Sequence, residues 1–112
     1  MIKIPSFYNC GTRRNQILHT RLRLGCSSLH DHLFSRNLIP TRYCDCGLIE
    51  TTQHYLLHCN KYTQIRDRTI HTIQYTVTMN LLLFGDSNLS DAENENVFLT
   101  VHKFIHETKR FP

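Results

Sequence analysis

Apolar positions recur every three or four residues along most of this chain, and three breaks interrupt them: Gly25 to Ser28, Pro40 to Glu50, and Gly85 to Ser90. Thr12 is suited to cap a first helix and Gly25 to end it. Between them Ile17, Leu18 and Leu22 fall at helical spacing and are expected to face the core, with Arg13, Arg14, Arg21 and Arg23 mostly outside that stripe. Ser28-Leu29-His30-Asp31 has the form of a capping box. It predicts a short second helix with Leu29, Leu33, Phe34 and Leu38 on its apolar side, ended near Asn37 and stopped by Pro40.

A third helix is expected from Thr51 or Thr52 through His54, Tyr55, Leu56 and Leu57 towards Cys59. Asn60 is then placed to cap a fourth, with the stripe Tyr62, Ile65, Thr69 and Ile73. The β-branched run Thr76-Val77-Thr78 weakens helix, and Leu81 to Phe84 reads as an apolar plug or a short strand, which periodicity alone does not separate. Ser90-Asp91-Ala92-Glu93 is a second capping box, opening a helix whose face is Val97, Val101, Phe104, Ile105 and Thr108. Acids at Asp91, Glu93 and Glu95 and bases at Lys109 and Arg110 suit its dipole. The reading is an all-α fold: a small helical domain of five helices with one zinc-stapled loop, residues 12–112, behind an N-terminal extension, residues 1–11.

The loop carries the chemistry. From Cys44 the spacing is C-x-C-x7-H-x4-C, ending at Cys59. Three thiolates and one imidazole are the donor set of a tetrahedral structural zinc ion, so Cys44, Cys46, His54 and Cys59 are the expected ligands of a Zn2+ cofactor. Gly47 lets the backbone bend around the ion. Four protein ligands leave no open position for water, which argues against catalytic zinc, and Glu50, the one nearby acid, is expected at a helix start. A regular helix would rotate His54 and Cys59 about 140° apart, so the helix must end or distort before Cys59. The competing reading packs these cysteines as small hydrophobes, and His58 competes with His54 for a ligand place. Cys10 and Cys26 have no close cysteine partner and read as free or buried thiols; His30 and His32 read as solvated or hydrogen-bonded.

Composition narrows the function. Apolar content of 40% and charged content of 20% exclude wholesale disorder, and 112 residues fit one domain in which a metal staple matters. The longest apolar run, Leu81 to Phe84, is far short of a membrane span, and the start Met1-Ile2-Lys3-Ile4-Pro5 lacks the apolar stretch of a secretory signal. An intracellular location, nuclear or cytoplasmic, is therefore expected, with thiols reduced. Net charge is +4 but uneven: residues 1–43 carry seven bases and one acid, +6, residues 44–75 balance, and residues 76–112 stand at −2. A basic end of this kind predicts a polyanion partner, RNA or DNA, met by Arg13, Arg14, Arg21, Arg23, Arg36 and Arg42.

The run Leu22-Arg23-Leu24-Gly25, then Leu29, His32-Leu33, Cys44-Asp45-Cys46-Gly47, Glu50-Thr51, His54, Leu56-Leu57, Cys59, Tyr62 and Arg66, resembles the C-terminal zinc-binding segment of reverse transcriptases from non-LTR, LINE-type retrotransposons. The tail, Leu83-Phe84-Gly85 and Val101-His102-Lys103-Phe104-Ile105 to Lys109-Arg110-Phe111, looks like the end of such reading frames. Two positions depart from that pattern: Cys26, where members commonly have His, and Asn60, where they commonly have Pro. The resemblance implies a terminal fragment that contributes to RNA or DNA binding and partners the polymerase portion of a retrotransposon protein. The alternative is a non-catalytic structural or protein-interaction fragment of a decayed element, with Phe7, Tyr8 and the Leu81–Phe84 run as its apolar patch. An enzyme is not expected, since polymerase and nuclease motifs and a local nucleophile–base pair are missing; nor is a small-molecule substrate.

Overall fold

Capping chemistry decides where the helices begin and end. A computed structural model of the chain describes residues 4–112. Thr12 Oγ1 accepts the Asn15 N–H at 3.1 Å and opens α1 (Arg13–Leu24). Gly25 closes it at φ +70°, with the Cys26 N–H on the Arg21 carbonyl at 2.9 Å and the Gly25 N–H on that of Leu22 at 3.4 Å. These are the paired return bonds of a left-handed helix end. Then come α2 (His30–Ser35), α3 (Thr63–Arg68), α4 (Met79–Phe84) and α5 (Asp91–Thr108). Single 3-10 turns at Ser6–Asn9, Asn60–Tyr62 and Ile70–Thr72 and a π turn at His54–His58 join them. The fold is all-α, with no strand among the described residues beyond one antiparallel bridge between Tyr43 and Ile49. No helix among them is long and apolar enough to cross a membrane.

α5 is the spine. The expected capping box forms, with Ser90 Oγ on the Glu93 N–H at 3.1 Å and Glu93 Oε1 on the Ser90 N–H at 2.9 Å. Its buried face, Val97, Phe98, Val101, Phe104 and Ile105, receives α1, α3, α4 and the Ser6–Asn9 turn. Phe7 meets Phe98 edge-on at 5.2 Å, and Tyr55 meets Phe104 at 5.1 Å. α4 is only six residues long, so its last four carbonyls need partners. The Gly85 N–H takes Leu81, His19 Nε2 takes Leu82 at 2.7 Å, the Arg23 guanidinium takes Leu83, and the Tyr8 hydroxyl takes Phe84 at 3.3 Å.

Several local expectations are corrected. Ile17 is 38% exposed on the outer face of α1, and the buried place goes to His19. The Ser28 capping box does not form: Leu29 is the N-cap, and the His30 N–H goes to Glu50 Oε1 at 2.7 Å. A carboxylate is a stronger acceptor than a serine hydroxyl, and it arrives from outside the local sequence. Leu38 is 63% exposed because the chain reverses at Asn37, φ +59°. Asn60 does not cap; it lies inside a 3-10 turn whose N-cap is Cys59, and α3 starts only at Thr63. Leu81 to Phe84 belongs to a helix, since Thr78 Oγ1 accepts the Leu81 N–H at 3.0 Å. Phe7 and Leu81 to Leu83 are buried, so they form no exposed patch.

Candidate metal centre

A short hairpin and a distorted helical turn bring the four expected ligands together. Cys44 and Cys46 sit on a hairpin closed by Cys44 N–H to Leu48 O at 2.7 Å, Gly47 N–H to Cys44 O at 2.9 Å and Glu50 N–H to Arg42 O at 2.9 Å. Gly47 holds φ +95°, and a Cβ there would touch nothing within 4 Å, so backbone conformation rather than space favours glycine. Across the site Thr51 Oγ1 accepts the His54 N–H at 3.1 Å and starts the turn. The chain then winds more widely than an α-helix: the Cys59 N–H returns to the His54 carbonyl at 2.7 Å, an i→i+5 closure. That widening brings residues five apart into register, and Cys59 leaves the turn at ψ 121°. The distortion expected before Cys59 is this π turn.

The four side chains offer one ligand atom each, all within 4.8 Å of one another. Cys44 Sγ lies 3.7 Å from Cys59 Sγ, and Cys46 Sγ lies 3.2 Å from His54 Nε2. A tetrahedral ion with Zn–S bonds of about 2.3 Å sets two sulfurs about 3.8 Å apart, and a sulfur and a nitrogen about 3.5 Å apart. The donor set and its spacing therefore fit a metal ion. Cys44, His54 and Cys59 are buried and Cys46 is half-buried. Burial pushes the Cys59 thiol up to about 11, whereas the Leu48 backbone amide lowers Cys46. Burial also lowers His54, which favours the neutral imidazole that ligates. His58 is exposed beside Gln53, with 3.3 Å between their side-chain nitrogens, and stays outside the cluster.

Polar side chains lock the frame around the cluster. Arg66 is 3% exposed and donates to the carbonyls of Leu56 at 2.8 Å, Cys59 at 3.1 Å and Tyr55 at 3.1 Å. It closes the end of the π turn, whose carbonyls have no helical partner beyond Cys59. Glu50 is 2% exposed and serves α2 rather than its own segment. Besides the His30 N–H it receives Arg110 through both carboxylate oxygens, at 2.7 and 3.0 Å. Burial alone would raise this carboxyl, but Arg110 and the His30 N–H hold it below its ordinary value. His32 completes a relay. Its Nδ1 faces Ser27 Oγ at 2.7 Å and its Nε2 faces Thr52 Oγ1 at 3.1 Å, and the Thr52 hydroxyl donates to Leu22 O at 3.2 Å. The end of α1 is thereby tied to the ligand-bearing turn. His30 Nδ1 lies 2.6 Å from the Tyr43 carbonyl.

The six arginines expected at a polyanion do not stand alike. Arg13 and Arg21 are exposed, and their side chains make no hydrogen bond or ion pair among the described residues. Arg14 donates to the Phe111 carbonyl. Arg36 donates to the carbonyls of His32 at 3.2 Å and Ser27 at 2.9 Å. Arg42 lies over the Phe34 ring at 4.5 Å. Arg23 is half-buried, stacked on Tyr8 at 4.3 Å and bonded to α4. Sequence reasoning missed the structural work of Arg23, Glu50 and Arg66; for Arg66 the one signal was its place in the resemblance. No protein-family model, curated protein or solved structure matches the chain, which stands as an all-helical domain bearing a Cys3His cluster suited to a metal ion.

Proposed function

We propose that this chain is a structural zinc module, similar to the terminal domain of a LINE-type retrotransposon reverse transcriptase, that contributes RNA or DNA binding beside a polymerase. The observation that carries the zinc reading is the convergence of Cys44, Cys46, His54 and Cys59. Thiolate-rich, four-ligand sites are structural, because no position remains for a reacting water. Zinc there would supply folding free energy by holding the hairpin against the π turn, and no catalytic step is assigned to the chain. Polyanion binding is supported by the +6 charge of residues 1–43 and by Arg13 and Arg21, whose side chains have no partner among the described residues.

The test has two stages. One zinc per chain, lost together with helical circular dichroism on chelation and not retained by Cys59→Ser, is the expected result for the metal. Affinity for RNA or DNA that falls steeply and linearly on a log–log plot against salt is the expected result for the basic face. No bound zinc would end the first claim, and an affinity indifferent to salt would end the second.

A further inference from the structure

An open groove of about 650 Å³ runs the length of α1, beside the Ser6–Asn9 turn. It extends from Arg13 to Leu24, roughly 16 Å at the helical rise. Its apolar side is Ile4, 67% exposed, Ile17, 38%, and Leu24, 70%. Ile17 and Leu24, seven residues apart, face solvent on one side of α1, and Ile4, just before the Ser6–Asn9 turn, lines the same groove; a clustered aliphatic patch of this kind marks a binding surface. Arg13 and Arg21 line the same groove, about 12 Å apart along the helix, and neither has an intramolecular partner among the described residues. Arg23 and Tyr8 line it too, with the guanidinium held against the Tyr8 ring at 4.3 Å and tied to the Leu83 carbonyl.

We propose that this groove takes the bases of an unpaired polynucleotide while Arg13 and Arg21 take its phosphates, an inference that rests on the nucleic-acid reading above. The chemistry selects the occupant. A duplex presents phosphates and hides its base faces, so it would leave Ile4, Ile17 and Leu24 facing water. An unpaired strand presents both charge and flat apolar faces, and bases stack on aromatic rings and on arginine planes. The locked Arg23–Tyr8 pair is a plane of that kind. The +6 charge of residues 1–43 adds an attractive field for a polyanion well beyond the two rim arginines.

The experiment uses the zinc-loaded chain and oligonucleotides of one length as single-stranded RNA, single-stranded DNA and duplex, with binding followed by fluorescence anisotropy over a salt series. Leu24→Ser and Arg21→Gln alter exposed side chains, so unchanged melting and zinc content confirm their folding. Single strands are expected to bind at least about tenfold tighter than duplex, and preference for RNA or DNA identifies which strand the groove serves. Leu24→Ser should weaken single-strand binding roughly tenfold, the order expected when one aliphatic side chain is lost from an apolar contact, without altering the salt slope. Arg21→Gln should weaken binding and reduce that slope by about 0.7. Equal affinity for duplex, or an inert Leu24→Ser, overturns the groove while leaving phosphate binding by the basic face intact. Failure to bind any nucleic acid at low salt overturns both readings, and capture of an acidic amphipathic helix in its place would assign the groove to a protein partner.

Discussion

The two halves of this domain are held by different physics. Around α1, α4 and α5 the chain relies on helix caps and an aromatic core, in which Phe98 and Leu82 are almost wholly buried. Around residues 42–66 no α-helix exceeds six residues, and the segment is organised by a cluster of metal-suited side chains, a π turn and one buried arginine. The first half is built from periodic patterns that each stabilise themselves in part. In the second, most contacts join residues that have no local preference for the geometry they adopt. Yet the two share a device: Arg23 closes the end of α4 as Arg66 closes the π turn. Short helical pieces leave a high share of unpaired carbonyls, and a guanidinium, with five donors, satisfies several at once.

The sharpest way to break the comparison is Arg66→Ala. It leaves three carbonyls without their donor in a buried place, each costing about 1–3 kcal/mol. We expect a loss of at least about 4 kcal/mol in denaturant unfolding, together with weaker zinc retention against a competing chelator. Arg66→Lys should not rescue it, because a single ammonium does not span the three acceptors. A change below about 1 kcal/mol would mean that the ligands alone hold the turn.

The packed half breaks differently, through pH. His19 and His102 are buried and face each other, Nδ1 to Nε2, at 3.0 Å. Since His19 must donate through Nε2 to the Leu82 carbonyl, His102 donates to His19, and both rings are neutral. Burial lowers His19 to about 3 and His102 to about 4, and the Arg23 charge facing both pushes the same way. Both folded-state values lie below the ordinary 6.5, so the unfolded chain binds more protons as pH falls. Their stabilisation is complete above about pH 6.5 and is lost progressively down to about pH 4 and then 3. By pH 5.5 the two rings together cost roughly 2–3 kcal/mol. Melting temperature measured from pH 7 to 5.5, with zinc content followed in parallel, should fall before zinc is released. A flat profile would place these rings in contact with water.

What the sequence made legible follows from the same division. Thr12, Gly25, Ser90 and the α5 stripe state their roles within a few residues, and those elements form as read. The Cys3His cluster was equally legible, because thiolate and imidazole spacing is itself the chemical signal, and the rotation of Cys59 away from His54 demanded a distortion that the π turn supplies. Glu50, Arg66 and Arg23 were not legible, because each serves a segment distant in sequence. Glu50 reads as a helix-start acid but caps α2, 20 residues upstream, and Arg23 reads as surface charge but ends α4, 60 residues on. His19 failed for the complementary reason: a polar residue takes a core position when a free helix-end carbonyl needs its donor.

The mildest perturbation decides whether the halves are thermodynamically separate. Ser90→Ala removes the acceptor of the Glu93 N–H at the start of α5, far in sequence from the cluster and exposed to water. It should cost about 1 kcal/mol and lower the melting temperature by several degrees. If chelation unfolds only the ligand-bearing half, the chelator concentration at half release should not change, since bound and metal-free chains lose the same stability. If zinc loss unfolds the whole chain, the same 1 kcal/mol enters the binding equilibrium, and apparent zinc affinity should drop about fivefold. A fivefold shift would make α5 part of the metal site energetically, though it contributes no ligand. An unchanged midpoint would show that the metal staples its own hairpin and turn onto a helical core able to stand without it.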